Sequence, residues 1–142
     1  MMEYLKQEEY PQLQLEASWA LCNIASGTEI QCQSIADRGD IPLFSKLLLS
    51  KNVHLVEKVI WALGNLASEC IKHRDDIIKA GGVANLVELL SNPPENKLEI
   101  EKIGCWALSN LCRGSPLPKY NDIEAAIQLL CHYIKSEKII DK

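Results

Sequence analysis

The sequence predicts an all-α fold in which similar helical units stack into a right-handed solenoid. Three observations carry this prediction: a short motif recurs, its copies are evenly spaced, and the apolar residues between copies recur with helical periodicity. The motif reads Trp-Ala-Leu-Cys-Asn-Ile-Ala at 19–25, Trp-Ala-Leu-Gly-Asn-Leu-Ala at 61–67 and Trp-Ala-Leu-Ser-Asn-Leu-Cys at 106–112. The tryptophans of successive copies lie 42 and 45 residues apart.

Each copy of the motif closes a long helix, and two further helices are predicted between successive copies. A spacing of about 40–47 residues is typical of armadillo and HEAT repeats, and three helices per unit favour armadillo repeats. Glycines at 39 and 81–82 and prolines at 93–94 separate the predicted helices. The pattern predicts two full repeats, residues 28–67 and 70–112, with helices at 29–38, 41–49, 53–67, 71–80, 83–90 and 98–112.

The two ends of the chain are predicted to be partial repeats. Residues 10–26 supply only the last helix of one repeat, and residues 120–142 begin another, with an apolar helix at 122–135. We therefore expect one partial armadillo-repeat domain over 1–142, with about three repeats and truncated at both ends. Since a solenoid repeat buries its faces only against its neighbours, exposed apolar ends and self-association are expected.

Composition excludes several classes of function. The net charge of −4 argues against nucleic acid, which needs a basic face, and favours a basic partner. No apolar run approaches the ~20 residues of a membrane span, so no membrane association is expected. Four of the six cysteines lie inside periodic helical segments: Cys22, Cys105, Cys112 and Cys131. A cysteine in such a position acts as a small apolar filler, so a reduced, intracellular protein is favoured over a disulfide framework.

The tryptophan and asparagine of each motif are predicted to lie off the core-facing stripe of their helix. In the helix at 53–67, four apolar residues at three- and four-residue steps form that stripe: Val56, Val59, Leu63 and Leu66. At about 100° per residue, Trp61 lies roughly 140–160° from each of them, and Asn65 shares its face. Trp19 with Asn23, and Trp106 with Asn110, repeat this arrangement. Three exposed indoles indicate a ligand surface.

An extended peptide rich in Lys and Arg fits this surface best. Packed helices are ~8–10 Å apart and an extended chain advances ~3.3 Å per residue, so each repeat matches two to three peptide residues. Asparagine amides suit a peptide main chain. Slots between successive indoles suit long aliphatic stems that carry a cation. Glu57 and Glu69 are placed to receive the ammonium groups.

Residues 13–28, 59–67 and 106–114 resemble importin alpha, the armadillo-repeat nuclear import adaptor also called karyopherin alpha. The resemblance implies binding of nuclear localisation signals in the major groove, in cytoplasm and nucleus. It assigns the separation of basic side chains to the three tryptophans and the clamping of the signal's main chain to the three asparagines. It assigns Glu57 to the groove and a lysine pocket to Gly27, Cys32 and Glu69. Cys32 and Glu69 replace the family's usual threonine and aspartate, and Ile103 a common asparagine.

The same resemblance implies importin beta as a partner of the full-length protein. The family binds importin beta through a basic N-terminal segment, and no Lys/Arg run occurs in residues 1–10. That binding segment is therefore expected to be absent from this sequence.

Two other interpretations remain open. A different armadillo scaffold, acting in adhesion or signalling, also binds extended peptides, but through a basic groove. An enzyme or metal protein is the third hypothesis, since Cys70 and His73 are three residues apart and Cys131 precedes His132. No second pair with zinc-site spacing and no nucleophile or phosphate-loop motif supports it. We therefore expect no catalysis, metal or cofactor.

Overall fold

The computed structural model describes residues 2–7, 9–94 and 98–136, and these residues contain nine helices and no strand. None of these helices is long and apolar enough to cross a bilayer. The helices are α1 (Met2–Leu5), α2 (Pro11–Ala25), α3 (Glu29–Asp37), α4 (Ile41–Leu47), α5 (Val53–Glu69), α6 (Ile71–Lys79), α7 (Gly82–Ser91), α8 (Leu98–Leu111) and α9 (Tyr120–Lys135). The helices predicted for the two full repeats correspond to α3–α5 and α6–α8.

Helix boundaries agree with the sequence pattern to within two residues. The largest differences, of two residues, are in three helices. Helix α4 ends at Leu47 rather than at residue 49, α5 ends at Glu69 rather than at residue 67, and α9 begins at Tyr120 rather than at residue 122. Glycines end the short helices as expected, because Gly39 and Gly81 adopt φ of +75° and +81°, which side-chain-bearing residues rarely adopt. Of the last predicted repeat, residues 137–142 lie outside the described residues.

The short helix α1 was not predicted, and it covers part of the first long helix. Its Leu5 side chain is fully buried in the core. The Leu5 carbonyl accepts a 2.7 Å hydrogen bond from the side chain of Gln14, which is buried on α2. The prediction of an apolar end on this side is therefore wrong for the α2 surface that α1 covers.

The three motif-bearing helices stack side by side and form the centre of the molecule. Helix α5 packs between α2 and α8. All four residues of the predicted stripe on α5 are at most 2% exposed, so the prediction of the core-facing side is confirmed: Val56, Val59, Leu63 and Leu66. This stacking sets the neighbouring positions of the motif residues.

A buried arginine ties the second full repeat to the segment that follows it. Arg74, on α6, is 2% exposed and its guanidinium binds three groups. It donates hydrogen bonds to the carbonyls of Arg113 and Pro116, at 2.8 and 2.9 Å, and pairs with Asp75 at 2.7 Å. The segment after α8 is thus tied to α6 by main-chain contacts.

All six cysteines lie among the described residues and all are free thiols. Cys22, Cys105 and Cys112 are partly buried, as expected for fillers, and burial raises the pKa of the Cys105 thiol to about 11. Cys131 is exposed on α9, so the filler interpretation is wrong for that residue.

Candidate functional site

The stacked helices place the motif residues on three adjacent elements. Because α5 lies between α2 and α8, the motif residues follow one another in the order α2, α5, α8. We call these six residues the Trp/Asn ladder: Trp19, Asn23, Trp61, Asn65, Trp106 and Asn110. Its two ends differ in exposure and in hydrogen bonding.

The part of the ladder formed by Trp19, Asn23 and Asn65, on α2 and α5, is open. Trp19 is 53% exposed, Asn23 is exposed and Asn65 is half-buried. Within the described residues, no hydrogen bond uses the side-chain amide of Asn23 or Asn65. Each amide therefore retains its donors and its acceptor for a ligand.

The end of the ladder between α5 and α8 is closed. The ring centroids of Trp61 and Trp106 are 5.0 Å apart, with the planes tilted by 49°. An aliphatic stem needs a carbon contact of ~3.5–4 Å on each side, so a slot requires ~7–8 Å between rings. The predicted slot between these two indoles is therefore absent in this arrangement, and the rings contact each other instead.

Gly64 explains why Trp106 comes so close to α5. A Cβ atom at Gly64 would lie 2.2 Å from a ring carbon of Trp106, so the indole rests directly on the backbone of α5. The corresponding motif position is Cys22 in the first copy and Ser109 in the third. Only the second copy has glycine at this position, and the absence of a side chain lets the Trp106 indole pack directly onto α5.

Asn110 differs most from its predicted role. It is only 3% exposed, and its Nδ2 donates a 3.1 Å hydrogen bond to the carbonyl of Gly64. A buried amide requires such a partner, and here the partner is the neighbouring helix rather than a peptide. The predicted clamp at Asn110 is therefore wrong for this conformation, in which Asn110 joins α8 to α5.

The three residues of the predicted lysine pocket fall into two groups. Gly27 and Glu69 are exposed, at the ends of α2 and α5. Cys32 is fully buried, and its thiol donates a 3.2 Å hydrogen bond to the Ala25 carbonyl. Burial and the nearby charge of Glu69 raise the pKa of this thiol, which therefore remains protonated. Direct peptide contact predicted for Cys32 is wrong, because its side chain faces the core.

Glu57, the second predicted acidic partner, already holds a cation of the same chain. The ammonium of Lys58 lies 3.2 Å from the Glu57 carboxylate, and both side chains are about three-quarters buried. The same ammonium lies 5.0 Å from the centroid of the Trp19 ring. We call the surface formed by Trp19, Glu57 and Lys58 the Trp19 slot.

Lys58 and Gly64 were missed from the sequence, although each left a signal. Lys58 precedes Trp61 by three residues, a spacing that puts both on the same helix face. Gly64 lies three residues after its motif tryptophan, and the other two copies of the motif have no glycine at that position. A comparison of the three copies position by position would have found both departures.

Cys70 and His73, the pair considered as metal ligands, have a structural role at the start of α6. The Cys70 sulfur accepts the backbone N–H of His73 at 3.4 Å, which caps the helix. The His73 ring is fully buried, and its Nε2 lies 3.3 Å from Oε1 of Gln33. In the described ranges, no group of three or more His, Cys, Asp or Glu side chains is arranged for a metal ion.

Comparison with known proteins shows which sequences this chain resembles. The chain is 40% identical over 134 residues to importin subunit alpha-1b of Oryza sativa subsp. japonica, which covers 94% of this chain and 25% of that protein. It is 40% identical over 136 residues to importin subunit alpha-2 of Arabidopsis thaliana, covering 95% and 25%. A probable importin subunit alpha-A of Dictyostelium discoideum is 32% identical over 150 residues, covering 97% and 27%.

The chain is similar to importin alpha over nearly its whole length. It spans about a quarter of the length of the importin alpha relatives it matches. No protein-family model matches the chain.

Solved structures show the same fold. An engineered protein aligns with a TM-score of 0.80 and 28% identity, covering 99% of this chain and 33% of its own. A designed armadillo repeat protein in complex with the peptide (KR)4 aligns with a TM-score of 0.74 and 28% identity, covering 90% and 50%. The predicted all-α armadillo-repeat fold is therefore confirmed.

Proposed function

We propose that the open half of the Trp/Asn ladder binds extended Lys/Arg-rich peptides of the nuclear localisation signal class. On this proposal the chain is a non-enzymatic part of a nuclear import adaptor that works in cytoplasm and nucleus. Importin beta is proposed as a partner of the whole protein. The cargo peptide is the partner proposed for this segment.

One observation carries the proposal: the Trp19 slot accommodates a lysine side chain. The ammonium of Lys58 lies over the Trp19 indole and beside the Glu57 carboxylate, at 5.0 and 3.2 Å. An indole face and a carboxylate are the two groups that recognise a cation on an aliphatic stem. The slot therefore has the chemistry that a basic peptide requires.

The free amides of Asn23 and Asn65 supply the second part of the argument. They lie on the adjacent helices α2 and α5, four residues after Trp19 and Trp61. Amides so placed can hydrogen-bond the main chain of a peptide that runs across both helices. The designed armadillo neighbour in complex with the peptide (KR)4 supports the binding of a basic peptide by this fold.

A titration of the chain with a fluorescein-labelled (KR)4 peptide at moderate salt tests the proposal. We expect saturable binding that Asn65→Ala weakens roughly 2- to 12-fold, since a hydrogen bond contributes about 0.5–1.5 kcal/mol. The matched control is Asn121→Ala, because Asn121 is exposed at the start of α9, away from the ladder. An equal loss in both variants, or no saturation by a folded chain, would refute the proposed site.

A further inference from the structure

The chain supplies its own cation to the Trp19 slot. Lys58 belongs to α5, yet its ammonium reaches across to the face of Trp19 on α2. It also pairs with Glu57, the adjacent residue in the chain. Neighbouring residues on a helix do not face each other, so this pair forms because both side chains turn into the same space. Lys58 is thus held by two partners from two helices.

Those two partners are the groups on which the slot depends. An incoming lysine or arginine would need the Trp19 face and the Glu57 carboxylate, and Lys58 uses both. The Lys58 and Glu57 side chains are only 24% and 26% exposed, so water screens the contact less than it would an open surface pair. A second cation in the slot would either meet a like charge or have to displace Lys58 into solvent.

We propose that Lys58 is a specificity-determining residue that occupies the Trp19 slot as a tethered competitor. The inference rests on the peptide-binding function proposed above. While Lys58 occupies the slot, the groove disfavours Lys or Arg at the one peptide position that faces Trp19, where a basic residue binds only by displacing Lys58, and it accepts a neutral or acidic residue there. The remainder of the open ladder, with Asn23 and Asn65, still binds the peptide main chain.

Removal of the competing charge should strengthen the binding of a basic peptide. Titration with labelled (KR)4 is expected to give a dissociation constant roughly 2- to 30-fold lower for Lys58→Gln than for the wild type. Lys58→Arg keeps the charge and should bind like the wild type. The matched control is Lys79→Gln, because Lys79 is exposed on α6 and its replacement makes the same change in net charge.

A scan of the peptide gives a second readout. When each basic residue of (KR)4 is replaced in turn by Glu, the wild type should tolerate Glu best at the position that faces Lys58. In Lys58→Gln that tolerance should be lost, because the acidic residue no longer meets a cation. A purely structural role for Lys58 predicts no such change in positional preference.

The outcomes separate this inference from the function on which it rests. If the wild type binds (KR)4 saturably and Lys58→Gln binds no more tightly than Lys79→Gln, the competitor role is overturned and the peptide-binding function stands. If neither the wild type nor Lys58→Gln binds, the proposed function fails, and the competitor role with it. Binding by Lys58→Gln alone would support the competitor role and refute the binding function proposed for the wild-type chain.

Discussion

Two adjacent side chains on α6, His73 and Arg74, are the most buried polar groups of the second repeat. Each is at most 2% exposed. Arg74 compensates for its burial with two main-chain carbonyls and the Asp75 carboxylate. His73 has a weaker set of partners, since Gln33 contacts its Nε2 and nothing in the described part of the chain hydrogen-bonds its Nδ1. The neutral ring is the form that this environment favours.

The burial of His73 predicts that mild acid destabilises the chain. Burial, and then the nearby charge of Lys72, lower the pKa of His73 below its ordinary value of 6.5. Below pH 6.5 the unfolded chain takes up a proton that the folded chain resists, so stability is lost as pH falls from that value toward the folded pKa. We expect the free energy of unfolding, measured with urea, to fall between pH 7 and 5.5 by at most about 1.4 kcal/mol per pH unit from this residue.

Comparison of two variants isolates the His73 contribution. His73→Gln should flatten the pH dependence, whereas His54→Gln, at an exposed position on α5, should leave it unchanged. Burial also raises the pKa of Asp40, a shift that changes the free energy of unfolding in the opposite direction and at lower pH. Asp40 is present in both variants, so it does not affect their comparison. Identical slopes for His73→Gln and the wild type would contradict the prediction.

At the scale of elements, the contact between α5 and α8 decides how much of the Trp/Asn ladder is exposed. The indole of Trp106 lies on Gly64 and against Trp61, and Asn110 donates to the Gly64 carbonyl. Trp106 and Asn110, the two ladder residues of the third motif, thus both contact the backbone of Gly64. The two helices are therefore joined by residues that the sequence predicted to face a ligand.

Gly64→Ala is predicted to disturb this contact. A methyl group at 2.2 Å from the Trp106 ring must displace the indole. Overpacking costs about 1–3 kcal/mol, and the better helix propensity of alanine returns about 1 kcal/mol. We expect a net loss of roughly 1 kcal/mol in urea unfolding, together with loss of the coupled indole signal of Trp61 and Trp106 in circular dichroism.

The control for Gly64→Ala lies on the same helix. Ser68→Ala changes an exposed residue of α5 that makes only a local hydrogen bond to Asn65. It should leave the circular dichroism of the indoles unchanged. An unchanged indole signal in Gly64→Ala would show that Trp106 does not rest on Gly64 in solution.

At the scale of the whole molecule, the outermost helices carry large exposed apolar side chains. Ile30 on α3 is 81% exposed and Ile134 on α9 is 69% exposed. Helix α1 covers part of α2, with Leu5 buried against it, but leaves Ile30 in solvent. A stack of repeats leaves such surfaces wherever no neighbour packs.

Self-association through these surfaces stays a prediction. Sedimentation velocity should show a mass that rises with concentration, and Ile134→Lys should weaken this rise. Leu117→Lys is the matched control, because Leu117 is 71% exposed but lies in the segment between α8 and α9. A monomer mass at every concentration would contradict the prediction.

The sequence by itself determined the architecture and the side of each motif helix that faces the core. Helical periodicity and the repeated motif fix which side of α5 is buried, because apolar residues at three- and four-residue steps all lie on one side of a helix. Turn residues such as Gly39 and Gly81 fix the helix ends, since few other residues adopt positive φ. Both signals come from residues that are close together in the sequence, so one sequence is enough to detect them.

Only the tertiary structure decided which ladder residues remain open. The face of Asn110 follows from its helix, but its burial follows from how closely α8 approaches α5, which depends on Gly64 forty-six residues earlier. Cys32 turns inward and Lys58 reaches Trp19 for the same reason: each contact joins residues on different helices. Such contacts depend on interhelical distance and side-chain rotamer, which periodicity along one helix does not specify.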